Sequence, residues 1–209
     1  MDIAKYIDYT LLKATATPAD IEKLCKEALE YGFYSVCVNS GYVPLAAEQL
    51  KGSKVNVCTV VGFPLGAMST QAKLYETSVA LSQGAQEIDM VLNVGLFLSG
   101  NMAKVLDEIA LLKQETGDRV LKVIIETCYL NDDQKRLASQ VCVDAGADFV
   151  KTSTGFGTGG ATLADVQLIR EVVGDRAKIK ASGGIRDKQT ALQYISLGVD
   201  RIGASAILV

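Results

Sequence analysis

Two lysines carry the covalent chemistry this chain is best equipped to do. Lys151 ends the run Ala147-Asp148-Phe149-Val150, and Lys180 sits inside Lys178-Ile179-Lys180-Ala181-Ser182-Gly183-Gly184. Each closes a short apolar run that reads as a buried strand, and each leads into a loop rich in Gly, Ser and Thr. Burial and a neighbouring positive charge both disfavour the ammonium form of lysine. The pair is therefore expected to hold an unprotonated amine, the form that attacks a carbonyl to give a Schiff base.

Composition removes most rival chemistries. The 209 residues include no histidine, so Ser-His-Asp hydrolysis, Cys-His nucleophiles and His-ligated metal sites are excluded. Five cysteines (Cys25, Cys37, Cys58, Cys128, Cys142) are widely spaced with no C-x-x-C pair, which suggests neither a disulfide framework nor a zinc site. Acid–base work falls to carboxylate, lysine, tyrosine, thiol or water. The net charge is −3 and the basic residues are scattered, which speaks against nucleic acid binding. No apolar stretch approaches the ~20 residues of a membrane span, and the start, Met1-Asp2-Ile3-Ala4-Lys5, lacks a signal-peptide core. The expected location is cytoplasmic, with no membrane contact.

Eight β-branched runs could position the lysines: Tyr6 to Asp8, Ser35 to Val38, Val55 to Val61, Glu87 to Val91, Leu121 to Ile125, Phe149 to Lys151, Ala177 to Ala181, and Arg201 to Gly203. Amphipathic segments alternate with them: Pro18 to Tyr31, Thr70 to Gln83, Ala103 to Glu115, Asp132 to Asp144, Leu163 to Val173, and Lys188 to Leu197. Glycine closes these segments at Gly32, Gly84, Gly117, Gly146, Gly174 and Gly198. Strands apolar on both faces and separated by helices imply parallel pairing. Eight units in this length predict a (β/α)8 TIM barrel, a single domain over residues 1–209. A doubly wound open sheet is the alternative, disfavoured because no G-x-G-x-x-G follows the first strand.

In a barrel the strand C-termini form the active face. Asp8, Thr10, Cys37, Asn39, Asp89, Asn93, Glu126, Lys151 and Lys180 fall there. Side-chain alternation puts Glu87 on the same face as Asp89, and Lys178 on the same face as Lys180. Glu87, Lys122 and Lys178 are thus expected to form a buried ionic layer beneath the site. Ser182-Gly183-Gly184-Ile185 and Gly203-Ala204-Ser205 stand where barrels hold a phosphate on backbone N–H groups and a short helix N-terminus. The loop Gly155 to Gly160 reads either as a third wall or as a flexible linker.

The segments Ile7 to Lys13, Val36-Cys37-Val38-Asn39, Val60 to Gly66, Glu87-Ile88-Asp89-Met90-Val91, Lys122 to Thr127, Ala147 to Phe156 and Lys180 to Arg186 resemble, in order, the deoxyribose-phosphate aldolase family. The resemblance implies a class I aldolase that reversibly cleaves 2-deoxyribose 5-phosphate to acetaldehyde and glyceraldehyde 3-phosphate, with no metal and no organic cofactor. It implies Lys151 as the Schiff-base residue, Lys180 as the group keeping that amine unprotonated, and Asp89 as general acid and base through a water. Cys37 would line the acetaldehyde end. Asp8 and Thr10 would complete the network around the substrate hydroxyls, and Thr154, Gly183, Gly184, Gly203 and Ser205 would contribute to binding. The partners implied are small sugar phosphates and aldehydes, with a homodimer as the assembly to test.

Three departures stand out. Tyr9 replaces a histidine common in the family, Ala14 and Ser40 replace frequent prolines, and Ala206 replaces the second serine of a G-x-S-S motif. The sequence stops at Val209, where relatives continue into a final helix and a tail that can bring a tyrosine to the site, so reduced turnover is expected. Two rivals remain open: another lysine-using or isomerising sugar-phosphate barrel, and a scaffold that binds sugar phosphates without turnover.

Overall fold

A computed structural model describes residues 2–206. Its eight strands, β1 (Ile7–Leu11), β2 (Ser35–Val38), β3 (Asn56–Val61), β4 (Glu87–Val91), β5 (Val120–Ile124), β6 (Phe149–Lys151), β7 (Lys178–Ser182) and β8 (Arg201–Ala204), close a barrel in sequence order. All pairs are parallel, and β8 returns to β1 through Ile7 opposite Ile202. That closure makes the fold a (β/α)8 TIM barrel and rules out the open sheet.

The crossovers are α1 (Pro18–Tyr31), α2 (Val43–Gln49), α3 (Thr70–Ser82), α4 (Val94–Leu98), α5 (Met102–Thr116), α6 (Asp132–Asp144), α7 (Leu163–Val173) and α8 (Lys188–Ser196). Local chemistry sets their starts. Thr17 and Asp20 form a reciprocal capping box around Pro18 at the head of α1, and Asn131 with Gln134 does the same for α6. Gly32 ends α1 in the left-handed region at φ +64°, where a side chain would be strained.

α2 and α4 are too short to show a helical period in sequence, and neither was anticipated. β1 also differs from expectation. Tyr6 belongs to a 3₁₀ turn (Ile3–Tyr6) whose Ala4 amide donates to the Asp2 side chain, so the strand begins at Ile7 and runs on to Leu11.

Alternation along the strands separates two interiors. On β4, Ile88 and Met90 join the apolar layer between strands and helices, as do Val123, Ile179 and Ile202 from other strands. Burying each such side chain stabilises the fold by about 1.5–3 kcal/mol. Glu87 and Asp89 carry the opposite parity and are equally buried, inside the barrel.

A second buried ion pair lies outside the barrel. Lys73 of α3 meets Glu108 of α5 at 2.5 Å and donates to the Val91 carbonyl at 2.8 Å, tying both helices to the end of β4. Thr70 donates a further hydrogen bond to Glu108 at 2.8 Å.

Candidate active site

Asp89 is the hub of the barrel interior. Its Oδ2 accepts from Lys151 Nζ at 2.7 Å and from Lys180 Nζ at 2.8 Å. Its Oδ1 accepts from Lys122 Nζ at 2.8 Å and from the Cys58 thiol at 3.2 Å. Asp8 sits 2.5 Å from Lys180 Nζ and 3.3 Å from Arg201 Nε, and Ser35 donates to it at 2.8 Å. Glu87 lies 2.5 Å from Lys122 Nζ and 3.4 Å from Arg201 Nη2. The Arg201 guanidinium stacks over Tyr34, 3.2 Å from the ring centroid. With Cys37 on β2 and Cys58 on β3, each of the eight strands contributes an ionisable side chain to this buried layer.

The charges in the layer fix one another. Burial opposes the Asp89 carboxylate, but Lys122, Lys151 and Lys180 together hold it well below the usual carboxylate range. Asp8 is pulled down to about 2, against its burial, chiefly by Lys180 and Lys122. Burial also opposes the Lys180 ammonium, yet Asp8 and Asp89 outweigh it and raise Lys180 above its ordinary value; Lys122 is raised in the same way by Asp89 and its neighbours. The two carboxylates thus favour the charged form of Lys180.

The ionic layer also differs in membership. Lys178 is exposed, its ammonium 5.7 Å from the Phe149 ring centre, so it does not enter the layer. Strand tilt carries the first residue of β7 to the rim and brings Lys180, two residues on, level with Asp89. Arg201 supplies the missing cation. Sequence reading overlooked it, although its register partner is Lys180.

Above the layer opens a cavity of about 280 Å³ lined by Lys151, Thr10, Thr154, Phe156, and the loops holding Gly183, Gly184, Gly203 and Ser205. Arg186 and Lys13 bring positive charge to the same walls. Asp89, Lys180, Asp8 and Cys37 lie beneath it, fully buried. A larger recess of about 360 Å³ against α1 does not reach Lys151. Thr10 donates its hydroxyl to the Asp8 carbonyl at 2.8 Å. Hydrogen bonding with Cys58 lowers the Cys37 thiol against its burial, whereas burial raises Cys58 well above its ordinary value.

The loop after β6 is a wall. Glu126, buried and itself in the left-handed region at φ +53°, accepts the Thr154 amide at 3.1 Å and the Thr154 hydroxyl in a short hydrogen bond. The Phe156 amide donates back to Thr154 Oγ1 at 3.0 Å, and its ring meets Phe63 edge-on at 5.2 Å. Gly160 and Gly183 let two backbones touch. A Cβ on Gly183 would come within 2.9 Å of Gly160 Cα, and Ala161 N–H donates to both the Ser182 and Gly183 carbonyls.

Tyr9, on the outer parity of β1, donates to Glu27 of α1 at 2.8 Å and packs on Phe33. Its departure from the family histidine therefore lies outside the charged layer. The helix N-terminus expected beyond β8 and the short tail fall outside the described residues. Cys37, Cys58 and Asp89 bring donor atoms within 4.8 Å of one another, as do Asp8, Cys58 and Glu87. Every carboxylate in these groups already faces an ammonium or guanidinium partner, which leaves a metal cation poor company there.

The family model described as DeoC/LacD family aldolase matches residues 3–207. The deoxyribose-phosphate aldolase of Coprothermobacter proteolyticus is 57% identical over 206 residues, covering 99% of this chain and 94% of that protein. Among solved structures, "QR15, an Aldolase" is similar at a TM-score of 0.95 and 45% identity, over 98% of this chain and 92% of that one. The deoxyribose phosphate aldolase from Aeropyrum pernix, described as having a unique tetrameric structure, is similar at 0.88 and 35% identity, over 97% and 86%. An eight-stranded barrel with a lysine-bound aspartate under a glycine-walled cavity, matched along nearly its whole length, places this chain in the DeoC/LacD family of aldolases.

Proposed function

We propose that this chain catalyses the reversible cleavage of 2-deoxy-D-ribose 5-phosphate to acetaldehyde and D-glyceraldehyde 3-phosphate, with Lys151 as the Schiff-base nucleophile. The observation that carries the assignment is that Lys151 alone of the clustered lysines lines the cavity, while Lys122 and Lys180 lie sealed beneath it. An amine needs access as well as a lone pair to attack C1 of the open-chain sugar.

The Lys151 nitrogen adds to the aldehyde carbon, and loss of water gives an iminium. The C2–C3 bond then breaks, its electron pair moves toward the iminium nitrogen to form an enamine, and the C3 hydroxyl gives up its proton as glyceraldehyde 3-phosphate departs. Protonation at C2 and hydrolysis release acetaldehyde and restore the amine. Asp89, 2.7 Å from Lys151 Nζ, is the base available for these proton movements, directly at nitrogen and through water at carbon. Lys180 Nζ stands 2.8 Å from the same Asp89 oxygen, so a second cation shares the counter-ion of Lys151.

The phosphate belongs at the far end of the cavity. Gly183 and Gly184, both at positive φ, bend the β7 loop around it, and Ser205 and Arg186 share its wall. The five free cysteines are consistent with a reducing, cytoplasmic setting. Whether the chain forms a homodimer is decided by sedimentation equilibrium.

Incubation with acetaldehyde and borohydride, followed by peptide mass spectrometry, tests the nucleophile. A reduced ethyl adduct on the Lys151 peptide, lost in Lys151→Ala, is the expected result. Sugar-phosphate binding with no adduct at Lys151 would instead favour an isomerase or a non-catalytic binder.

A further inference from the structure

The buried layer holds three carboxylates, Asp8, Glu87 and Asp89, against three cations other than Lys151, namely Lys122, Lys180 and Arg201. Those six groups balance, so with Lys151 uncharged the layer is neutral, and with Lys151 protonated the seven carry one positive charge in excess. Among the described residues Arg201 is the member least connected to the chemistry. It lies on β8, separated from β6 by β7, and neither touches Lys151 nor lines the cavity. Its contacts are Asp8, Glu87 and the Tyr34 ring.

We propose that Arg201 is a positioning residue for the aldol reaction that acts through its charge, completing the balance that makes loss of the Lys151 proton favourable. The proposal rests on the Schiff-base reading of Lys151. Water cannot screen the effect, because Arg201 is 6% exposed and Asp8, Asp89, Lys122 and Lys180 are sealed from solvent.

The titratable groups around Lys151 come from every other strand: Asp8 on β1, Cys37 on β2, Cys58 on β3, Glu87 and Asp89 on β4, Lys122 on β5, Lys180 on β7 and Arg201 on β8. Lys13 and Arg186 approach from the cavity walls, and Glu126 stands behind Thr154. All but the replaced residue are common to the variants compared, so differences between variants report that charge alone. Removing a cation lets the layer keep a proton it otherwise sheds. Removing an anion does the opposite.

The test is the pH dependence of two readouts, the borohydride-trapped acetaldehyde adduct on the Lys151 peptide and kcat/KM for the sugar phosphate. In Arg201→Gln the acid limb should move up by on the order of one pH unit, the size Coulomb's law gives for a charge about 10 Å away at an effective dielectric of about 20. At a pH on that limb the adduct yield then falls roughly tenfold. Arg201→Lys, which keeps the charge, should leave the limb in place. Glu87→Gln should move it down, and Arg201→Gln combined with Glu87→Gln should bring it back.

The proposal is overturned if the Arg201→Gln limb does not move, if Arg201→Lys moves it as far, or if the double variant fails to restore it. Should Arg201→Gln not fold, the Glu87→Gln shift and its reversal in the double variant decide. A parent protein that forms no adduct at any pH refutes the Schiff-base reading itself. A parent adduct with unshifted limbs refutes only the role of Arg201.

Discussion

Two regions of this molecule bury lysine ammonium groups beside carboxylates, and they treat the proton in opposite ways. Lys73, between α3 and α5, has one carboxylate partner, Glu108, and burial wins: the lysine is pushed below its ordinary value. Lys122 and Lys180, inside the barrel, each face several carboxylates and are pushed above it. Lys73 lies no deeper than the other two, so the count of surrounding anions decides the sign. The linkage to stability differs accordingly. As pH rises toward 10.5, Lys73 sheds its proton more readily in the folded state and stability climbs, whereas the share held by Lys122 and Lys180 is lost once pH passes above their unfolded value.

The largest break in this comparison comes from the lysine that faces the cavity. Lys151→Ala should abolish aldolase activity by on the order of 10⁴-fold or more in a steady-state assay while the protein stays folded by circular dichroism. Asp89→Asn strikes the hub and leaves the Lys122 and Lys180 ammonium groups short of an anion; urea unfolding should show a loss of about 3–5 kcal/mol, with activity falling together.

Glu108→Leu leaves Lys73 unpaired and should cost about 3 kcal/mol, but replacing both Lys73 by Met and Glu108 by Leu should recover most of it with kcat unchanged. The same treatment of the barrel layer has no apolar remedy, and a failed recovery would erase that contrast between the two regions. Next in size is an acid effect. The share of stability that Asp8 contributes is present above its unfolded value near 3.8 and disappears as pH falls toward about 2. Urea midpoints from pH 5 to 2 should fall less steeply in Asp8→Asn, by on the order of 2 kcal/mol.

The smallest effect belongs to the mouth. Gly184 sits at φ +82° with open space where a Cβ would go, so Gly184→Ala carries backbone strain of about 1 kcal/mol and no clash. KM for the phosphorylated substrate should rise a few-fold while kcat holds.

Sequence made much of this visible. Lys151, Lys180 and Asp89 announce themselves as charges at the ends of apolar runs, and alternation on β4 places Glu87 with Asp89. Alternation does not encode height. Lys178 shares the parity of Lys180 yet reaches solvent at the rim, because strand tilt and not residue parity sets which positions of neighbouring strands lie level. Arg201 stayed hidden for a related reason, since in a four-residue strand opening on a charge nothing local says whether that charge turns inward. Sequence order also does not show that Asp8 and Asp89, far from Lys180 in the chain, both come within ion-pair distance of its ammonium.

The backbone contact between Gly160 and Gly183 has a dynamic consequence. With no side chain between them and the Ala161 amide shared by two carbonyls of the neighbouring loop, the segments after β6 and β7 cannot open one at a time. Hydrogen exchange at Ala161 therefore reports a joint opening of both loops as one cooperative unit. Substrate meets a rim that is already assembled, and little ordering entropy is left to lose on binding.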